Sequence, residues 1–243
     1  MQHVQNGIGQ RYVRLIATAL GLIAALPAQA AERSLSIQSF ERIRVEGPFD
    51  VRLTTNRSPS ARASGDASAL EALDLRVEGN SLVVRSRAMS KSSERRRERR
   101  GVTIVTLATP RLVSATVIGG GALKIDGALT AAQLDLSLNG AGSLSVSAVA
   151  TDQLNTTLTG TGKMTLAGRA RRARLLLSGS GAVVADDLVA ADLIIRTEGS
   201  GTARATARFT AQVTTSGLGE VTVLGTPTCT VKAIGGGPVT CGK

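Results

Sequence analysis

Residues 134–168, LDLSLNGAGSLSVSAVATDQLNTTLTGTGKMTLAG, say nearly the same thing twice. Leu134, Leu136 and Leu138 alternate into Gly140-Ala-Gly142, and Leu144 and Val146 alternate out. Twenty residues later Leu154, Thr156 and Leu158 lead into Gly160-Thr-Gly162, followed by Met164 and Leu166. Apolar residues at every second position predict strands with one buried face. A unit this short cannot bury that face alone, whereas stacked copies can, each coil hydrogen-bonding to the next.

The same signature recurs along the chain. The pairs are Gly119/Gly121, Gly140/Gly142, Gly160/Gly162, Gly179/Gly181, Gly199/Gly201, Gly217/Gly219 and Gly235/Gly237, at intervals of 18 to 21 residues. Leu175/Leu177, Leu193/Ile195, Val213 and Val231 precede later pairs; Leu123/Ile125, Val183, Ala203/Ala205 and Val221/Val223 follow them. A small residue often comes eight positions on from the first glycine, as at Gly127, Ala148, Gly168, Ala207 and Gly225. No stretch of this region has the caps and 3.6-residue spacing of an amphipathic helix. The fold expected is all-β, a parallel β-solenoid of about 20-residue coils. Each Gly-x-Gly is expected at a corner, where glycine supplies positive φ or close backbone approach. Inward positions are expected to be Leu, Val, Ile and Ala; Asp135, Asn155, Arg174 and Gln212 are expected to face outward.

The first 30 residues read as a signal peptide. Arg11 and Arg14 precede the apolar run Leu15–Leu26, Pro27 breaks it, and Ala28-Gln29-Ala30 supplies small residues for cleavage. The run falls short of the roughly 20 residues of a membrane-spanning helix. No adjacent arginine pair or nearby cysteine points to twin-arginine export or a lipid anchor. The competing reading is an uncleaved N-terminal anchor. Residues 31–243 are long enough for a single solenoid domain, and no later segment could span a membrane as a helix.

The composition of that region narrows the chemistry. Beyond residue 30 the aromatic residues are Phe40, Phe49 and Phe209, and the chain's one histidine, His3, lies in the signal. The whole chain carries +11; removal of Arg11 and Arg14 leaves 27 basic and 18 acidic residues, or +9. Much of the excess sits in KSSERRRERR, within a basic loop at 88–101. Its Lys91, Arg95, Arg96, Arg97, Arg99 and Arg100 read either as a solvated insertion or as contacts for an anionic partner such as lipid or lipopolysaccharide. Chromosomal nucleic acid is not an expected partner: no aromatic residues are interleaved to stack bases, and export removes the chain from the chromosome.

Cys229 and Cys241 are the only cysteines, and an exported pair favours a disulfide closing the C-terminal end, 226–243. A metal reading would need two more ligands. Upstream, Phe40–Thr54 carries a degenerate copy of the unit around Gly47, and Gly79-Asn80 marks a tight turn between strands. Residues 60–70 are expected to form a loop or a short helical turn. The N-terminal third then supplies first coils and a cap, interrupted by the basic loop.

The opening EGPFDVRL, the repeated Gly-x-Gly units and the terminal cysteine pair together resemble the head GIN domain family over roughly Phe40 to Gly242. These are exported bacterial proteins of auto-transporter-adhesin-like character. The resemblance implies a right-handed parallel β-helix and offers no catalytic residues to carry over. A run of membrane-barrel strands is missing, so a complete autotransporter is not expected.

The residues offer no familiar catalytic constellation. Without histidine neither a serine nor a cysteine triad can be assembled. Ser180 and Ser200 belong to Gly-Ser-Gly corners. GTGKMT, at 160–165, lacks both the first glycine and the Ser/Thr of a phosphate loop. Asp126 and Asp186 occupy equivalent positions three coils apart, about 14 Å at strand spacing, whereas glycosidase carboxylates stand roughly 5–9.5 Å apart. Asp186, Asp187 and Asp192 could at most attract calcium. The expectation is a non-enzymatic envelope β-helix, an adhesin-like or structural binding module periplasmic or at the cell surface, with no cofactor and an unknown envelope partner. The alternatives are a polysaccharide-active enzyme and an anionic-surface binder acting through the basic loop.

Overall fold

A computed structural model describes residues 31–87 and 102–242. The N-terminal region contains β1 (Ala31–Leu35), β2 (Arg42–Glu46), β3 (Phe49–Thr55), β4 (Ser60–Gly65) and helix α1 (Ala67–Ala72). It continues through β5 (Leu73–Glu78), β6 (Ser81–Ser86), β7 (Thr103–Thr109) and β8 (Ser114–Ile118). Five long strands follow: β9 (Ala122–Gly140), β10 (Ser143–Gly160), β11 (Lys163–Gly179), β12 (Ala182–Gly199) and β13 (Thr202–Gly217). The chain closes with β14 (Val221–Leu224), β15 (Thr228–Ala233) and β16 (Val239–Cys241). Successive long strands pair in parallel, building a β-solenoid of about six turns.

Each long strand bends twice, and the burial pattern shows where. In β10 the inward residues are Leu144 and Val146, then Val149 and Thr151, then Leu154, Thr156 and Leu158. Spacing is two within a face and three across a bend, so one coil contributes three faces. The first bend coincides with a register shift between Val146 and Val149. There Gly168 has φ +122°, and a Cβ on it would lie 2.2 Å from the Val149 carbonyl oxygen. The third bend is the Gly-x-Gly.

The two glycines of each corner do different work, a division the sequence pattern does not reveal. Gly119, Gly140, Gly160, Gly179 and Gly199, first in their pairs, all have positive φ, +94° to +124°, where L side chains are strained. Gly217 and Gly235, first in the last two pairs, do not; a Cβ on either would come within 2.0–2.1 Å of the carbonyl oxygen below. The second glycines, Gly121, Gly142, Gly162, Gly181, Gly201, Gly219 and Gly237, are all buried and none has positive φ. As corner residues they are therefore packing positions, closed to any partner, and not turn residues facing solvent. Their reason is steric. A Cβ would lie 2.2 Å from Gly121 O at Gly142 and 2.6 Å from Gly142 O at Gly162. At Gly181 it would meet Leu158 Cδ2 at 2.5 Å and Gly162 O at 2.6 Å. At Gly201, Gly219 and Gly237 the carbonyl oxygen of the matching glycine one coil below would stand at 2.5, 2.0 and 2.2 Å.

The coils approach this closely because the corners bond to one another. Ala141 and Gly142 both donate to Gly119 O, at 3.1 and 2.9 Å, and Thr161 and Gly162 repeat the arrangement on Gly140 O. The middle residues Ala141, Thr161, Ser180 and Ser200 carry the side chains of the corner, pointing away from this contact.

Inside, the coils form ladders that run the length of the sheet. One column is Val105–Val51–Leu123–Leu144–Met164–Val183–Ala203–Val221–Val239. A second is Val84–Val45–Val117–Leu138–Leu158–Leu177–Thr197–Thr215–Ala233. One hydrophobic cluster joins Phe40 at one end to Val223 near the other. Threonine also takes inward positions, which the apolar pattern did not anticipate. The hydroxyls of Thr156, Thr197 and Thr215 are buried without a hydrogen-bond partner among the described residues. The outward expectation for Asp135, Asn155, Arg174 and Gln212 resolves into a single row, in which Asn155 donates to Asp135 at 2.9 Å.

Chain order and stacking order part company in the first third. β2 and β3 pair with β8 and β9 on one side and with β6 and β7 on the other. The β6/β7 coil therefore lies beneath the coil that precedes it in sequence. β6 and β7 stack on the same two faces as β2 and β3, with which they pair in parallel. Residues 60–65 form strand β4 instead of a loop, pairing antiparallel with both β1 and β7. Its alternating Ala61 and Ala63 bury small side chains that a count of large apolar residues overlooks. The helical turn falls at α1, and Gly79-Asn80 turns the antiparallel β5–β6 hairpin.

Asp74 stabilises this cap electrostatically. Its side chain is 5% exposed and is met by Arg76 Nε at 3.0 Å, Arg85 Nε at 3.2 Å and Arg87 at 3.7 Å. Burial by itself raises the carboxyl pKa, but the Arg76 and Arg85 hydrogen bonds and the charges of Arg76 and Arg87 outweigh it. The net pKa lies below the ordinary 3.8.

The corner, the buried hydroxyls and the Asp74 cluster can each be tested by substitution. Gly162→Ala should cost on the order of 2–3 kcal/mol in chemical denaturation, since backbone must shift to admit the methyl, while Thr161→Ala at the exposed middle position should be near neutral. Thr156→Val should raise stability by about 1 kcal/mol, because it removes a hydroxyl that burial leaves unsatisfied. A carboxylate with a depressed native pKa stabilises fully above its unfolded pKa and loses that contribution as pH falls through the native value. Asp74→Asn should therefore melt earlier than the parent protein at neutral pH, and the two melting curves should converge well below pH 3.8.

Candidate functional site

Three features were candidates from sequence: the glycine corners, the cysteine pair and the basic loop. The corners lie in one column and pack backbone against backbone, with Gly181, Gly201, Gly219 and Gly237 buried like their counterparts in earlier coils, so these glycines themselves are closed to a ligand. Lys91, Arg95, Arg96, Arg97, Arg99 and Arg100 lie outside the described residues; the chain enters that segment from Arg87, whose guanidinium is already directed at Asp74.

Cys229 and Cys241 are joined by a disulfide, with Cα atoms 6.3 Å apart. Cys229 pairs in register with inward Ala211, and Cys241 with inward Val223. The bridge thus connects two faces across the last coil, where no further described strand lies on top. In the chain-entropy picture a link over this separation stabilises by roughly 3 kcal/mol. This end is otherwise open: Val231 and Ile234 are exposed.

The concave feature with chemical character is a groove of about 1310 Å³ on the outer side of the middle face. That face bears the row Thr130–Ala150–Arg169–Val189. Near the first coils the outward side chains are short, Ala128, Ala132, Ala148 and Ala150, and leave the floor low. Longer side chains rise along the groove: Arg169, Arg171, Arg208 and Phe209, with Arg111 on the N-terminal side. The groove spans five coils, a run of about 19 Å at the usual strand spacing.

Its electrostatics are cationic. Asp152 is the one carboxylate among the groove residues and is paired with Arg171 at 3.5 Å, both well exposed. Arg111 reaches Glu41 at 3.8 Å. Arg208 sits 5.0 Å from the centre of the Phe209 ring, a cation–π contact that leaves its charge uncompensated. Arg169 has no ion pair among the described residues. Two apolar side chains stand beside these charges in solvent, Val189 at 44% and Phe209 at 56% exposed.

Sequence reasoning missed this groove. Two signals in the chain point to it. The segment GRARRAR, 168–174, alternates arginines with the buried Ala170 and Ala173, so Arg169 and Arg171 must face outward. Phe209 lies between the inward Ala207 and Ala211. Neither signal locates the groove until the coils are stacked, because Arg169 and Arg208 meet it from different turns.

Other acidic residues are engaged elsewhere. Asp186 pairs with Arg204 at 3.1 Å and Asp192 accepts from Thr210 at 2.7 Å. Among the described residues no three histidine, cysteine or acidic side chains converge as metal ligands, and no helix is long and apolar enough to cross a membrane.

The fold has solved counterparts. A "putative adhesin" of Bacteroides fragilis superposes with a TM-score of 0.79 at 22% identity, covering 88% of this chain and 97% of the other. A "putative lipid binding protein" of Parabacteroides distasonis gives 0.72 at 18% identity over 89% and 98%. A "putative adhesin" of Parabacteroides merdae gives 0.70 at 19% over 89% and 98%. At these identities the likeness is one of fold. No curated protein matches the chain. The family described as "Putative auto-transporter adhesin, head GIN domain" matches residues 39–227, the solenoid up to β14 together with part of its cap, and the chain belongs to that family.

Proposed function

We propose that this protein is a non-enzymatic, exported envelope β-helix that works as an adhesin-like binding module. Residues 1–30 act as a signal peptide and are removed, and the remaining chain is one solenoid domain that stays in the periplasm or reaches the cell surface. The observation that carries this reading is the outward groove, with four arginines and two exposed apolar side chains on a rigid, ligand-sized concavity. Rigid presentation favours binding because little conformational freedom is lost on association. The same groove supports a non-catalytic role: its one carboxylate is held by an arginine, whereas glycoside cleavage uses two.

The partner is an anionic component of the envelope, lipid or lipopolysaccharide. The basic loop supplies long-range attraction to it through Lys91 and the arginines at 95–97 and 99–100. Neighbours of the same fold carry names that fit a surface role, two as adhesins and one as a lipid binder.

Two measurements test the proposal. N-terminal sequencing of the protein from fractionated cells should read from Ala31 in an envelope or extracellular fraction; an intact N-terminus in the cytoplasm would end the export reading. Deleting 91–100 should weaken retention on phosphatidylglycerol vesicles at low salt and flatten its salt dependence. Unchanged retention removes the loop from the binding surface.

A further inference from the structure

From the groove's own chemistry we infer that it takes a single-chain anionic amphiphile, one molecule at a time, with the acyl chain on the alanine floor and the phosphate among Arg169, Arg171 and Arg208. The inference deepens the binding role proposed above by assigning a ligand class and a place, and it requires neither the basic loop nor a membrane surface.

The floor decides against a hydrophilic ligand. A sugar chain needs donors and acceptors along its length, and here the floor offers methyl groups. Ala128, Ala132, Ala148 and Ala150 line it. Thr151, the nearest buried hydroxyl, already donates to Ala131 O at 2.7 Å. Thr130 alone adds an exposed hydroxyl to the row. Such a surface gains from covering hydrocarbon, and Thr130 is the one floor hydroxyl that doing so would desolvate.

The rim supplies the other half of the amphiphile. Arg169 carries no ion pair among the described residues, and Arg208 meets only an aromatic ring. Guanidinium forks match phosphate oxygens in geometry as well as charge. Arg171 can turn from the exposed Asp152 toward a phosphate, because a solvent-exposed pair holds weakly. Val189 and Phe209 stand between and beside these arginines, where the first methylenes below a headgroup would lie. The groove is open to solvent along its run of about 19 Å, so a single extended chain can be laid into it from the side.

The test uses purified protein of residues 31–243 and a fluorescent single-chain phosphatidylglycerol held below its micelle concentration. Saturable binding is expected, with glycerol phosphate and single-chain phosphatidylcholine each competing at least about tenfold less well than the unlabelled anionic lipid. Arg169→Glu/Arg208→Glu should weaken binding about tenfold or more, and Ala150→Phe, which fills the floor from an outward position, should do the same. Thermal melting of each variant establishes that it is folded, and the two variants act through different groups, so either one suffices. Deletion of 91–100 should leave this binding unchanged, which separates the groove from the loop. The proposal is overturned by equal displacement with glycerol phosphate, by displacement with an acidic oligosaccharide as effective as the lipid, or by folded groove variants that bind like the parent. Because the assay needs no cells, failure of the export reading would appear only in fractionation and not here.

Discussion

The structure depends on one contact, repeated at every turn: backbone against backbone where a Gly-x-Gly corner sits on the corner below. At the corners from Gly140 to Gly219 two N–H groups converge on one glycine carbonyl of the coil below, and that convergence draws the coils too close for any Cβ. Glycine is therefore a spacing requirement here as well as a conformational one. The corner sets where the chain turns, hence which residues face inward, and hence the register of every ladder in the core. A slip of one residue at a corner would turn a whole face inside out.

A stack of parallel coils has two ends, and each end exposes unpaired strand edges that invite association. The chain treats its ends differently. At the first coils, antiparallel β1, β4 and β5, with helix α1, cover the stack, and the Asp74 cluster ties the β5–β6 hairpin together with charge-assisted hydrogen bonds. At the last coil no described strand covers the stack, and a disulfide spans two faces instead. Covalent closure does there what packing does at the other end.

The coils can differ chemically only on the outside, because the inside has no freedom left. Inward positions are constrained by the ladder and corner positions by backbone contact, so chemical variation is confined to outward side chains. Along the middle face alanines dominate the first two of five coils and arginines enter at the third and fifth, with Val189 and Ala191 between them. A groove with an apolar floor and a cationic rim results from that arrangement, without any loop being built to form it.

Much of this was legible in the chain itself. Period-two alternation around Gly140/Gly142 and Gly160/Gly162 determined the strands, the parallel stacking and the inward residues, because each depends on contacts between neighbouring copies of one local pattern. Cys229 and Cys241 were legible as a pair for the simpler reason that the chain has no other cysteine. Four matters were decided only by the tertiary structure. One is which of the two reasons for glycine applies at each corner position, close approach at Gly181, Gly201, Gly219 and Gly237 and positive φ at the first glycine of most pairs, since only the coil below shows what a side chain there would strike. The β6/β7 coil lies beneath β2/β3, since stacking order is set by edge pairing and not by chain order. Ala61 and Ala63 form a cap strand because a neighbouring edge was available to pair. Arg169, Arg171, Arg208 and Phe209 become one site because coils separated by up to 40 residues in sequence stand only about 5 Å apart per turn in space, a proximity that no local pattern encodes.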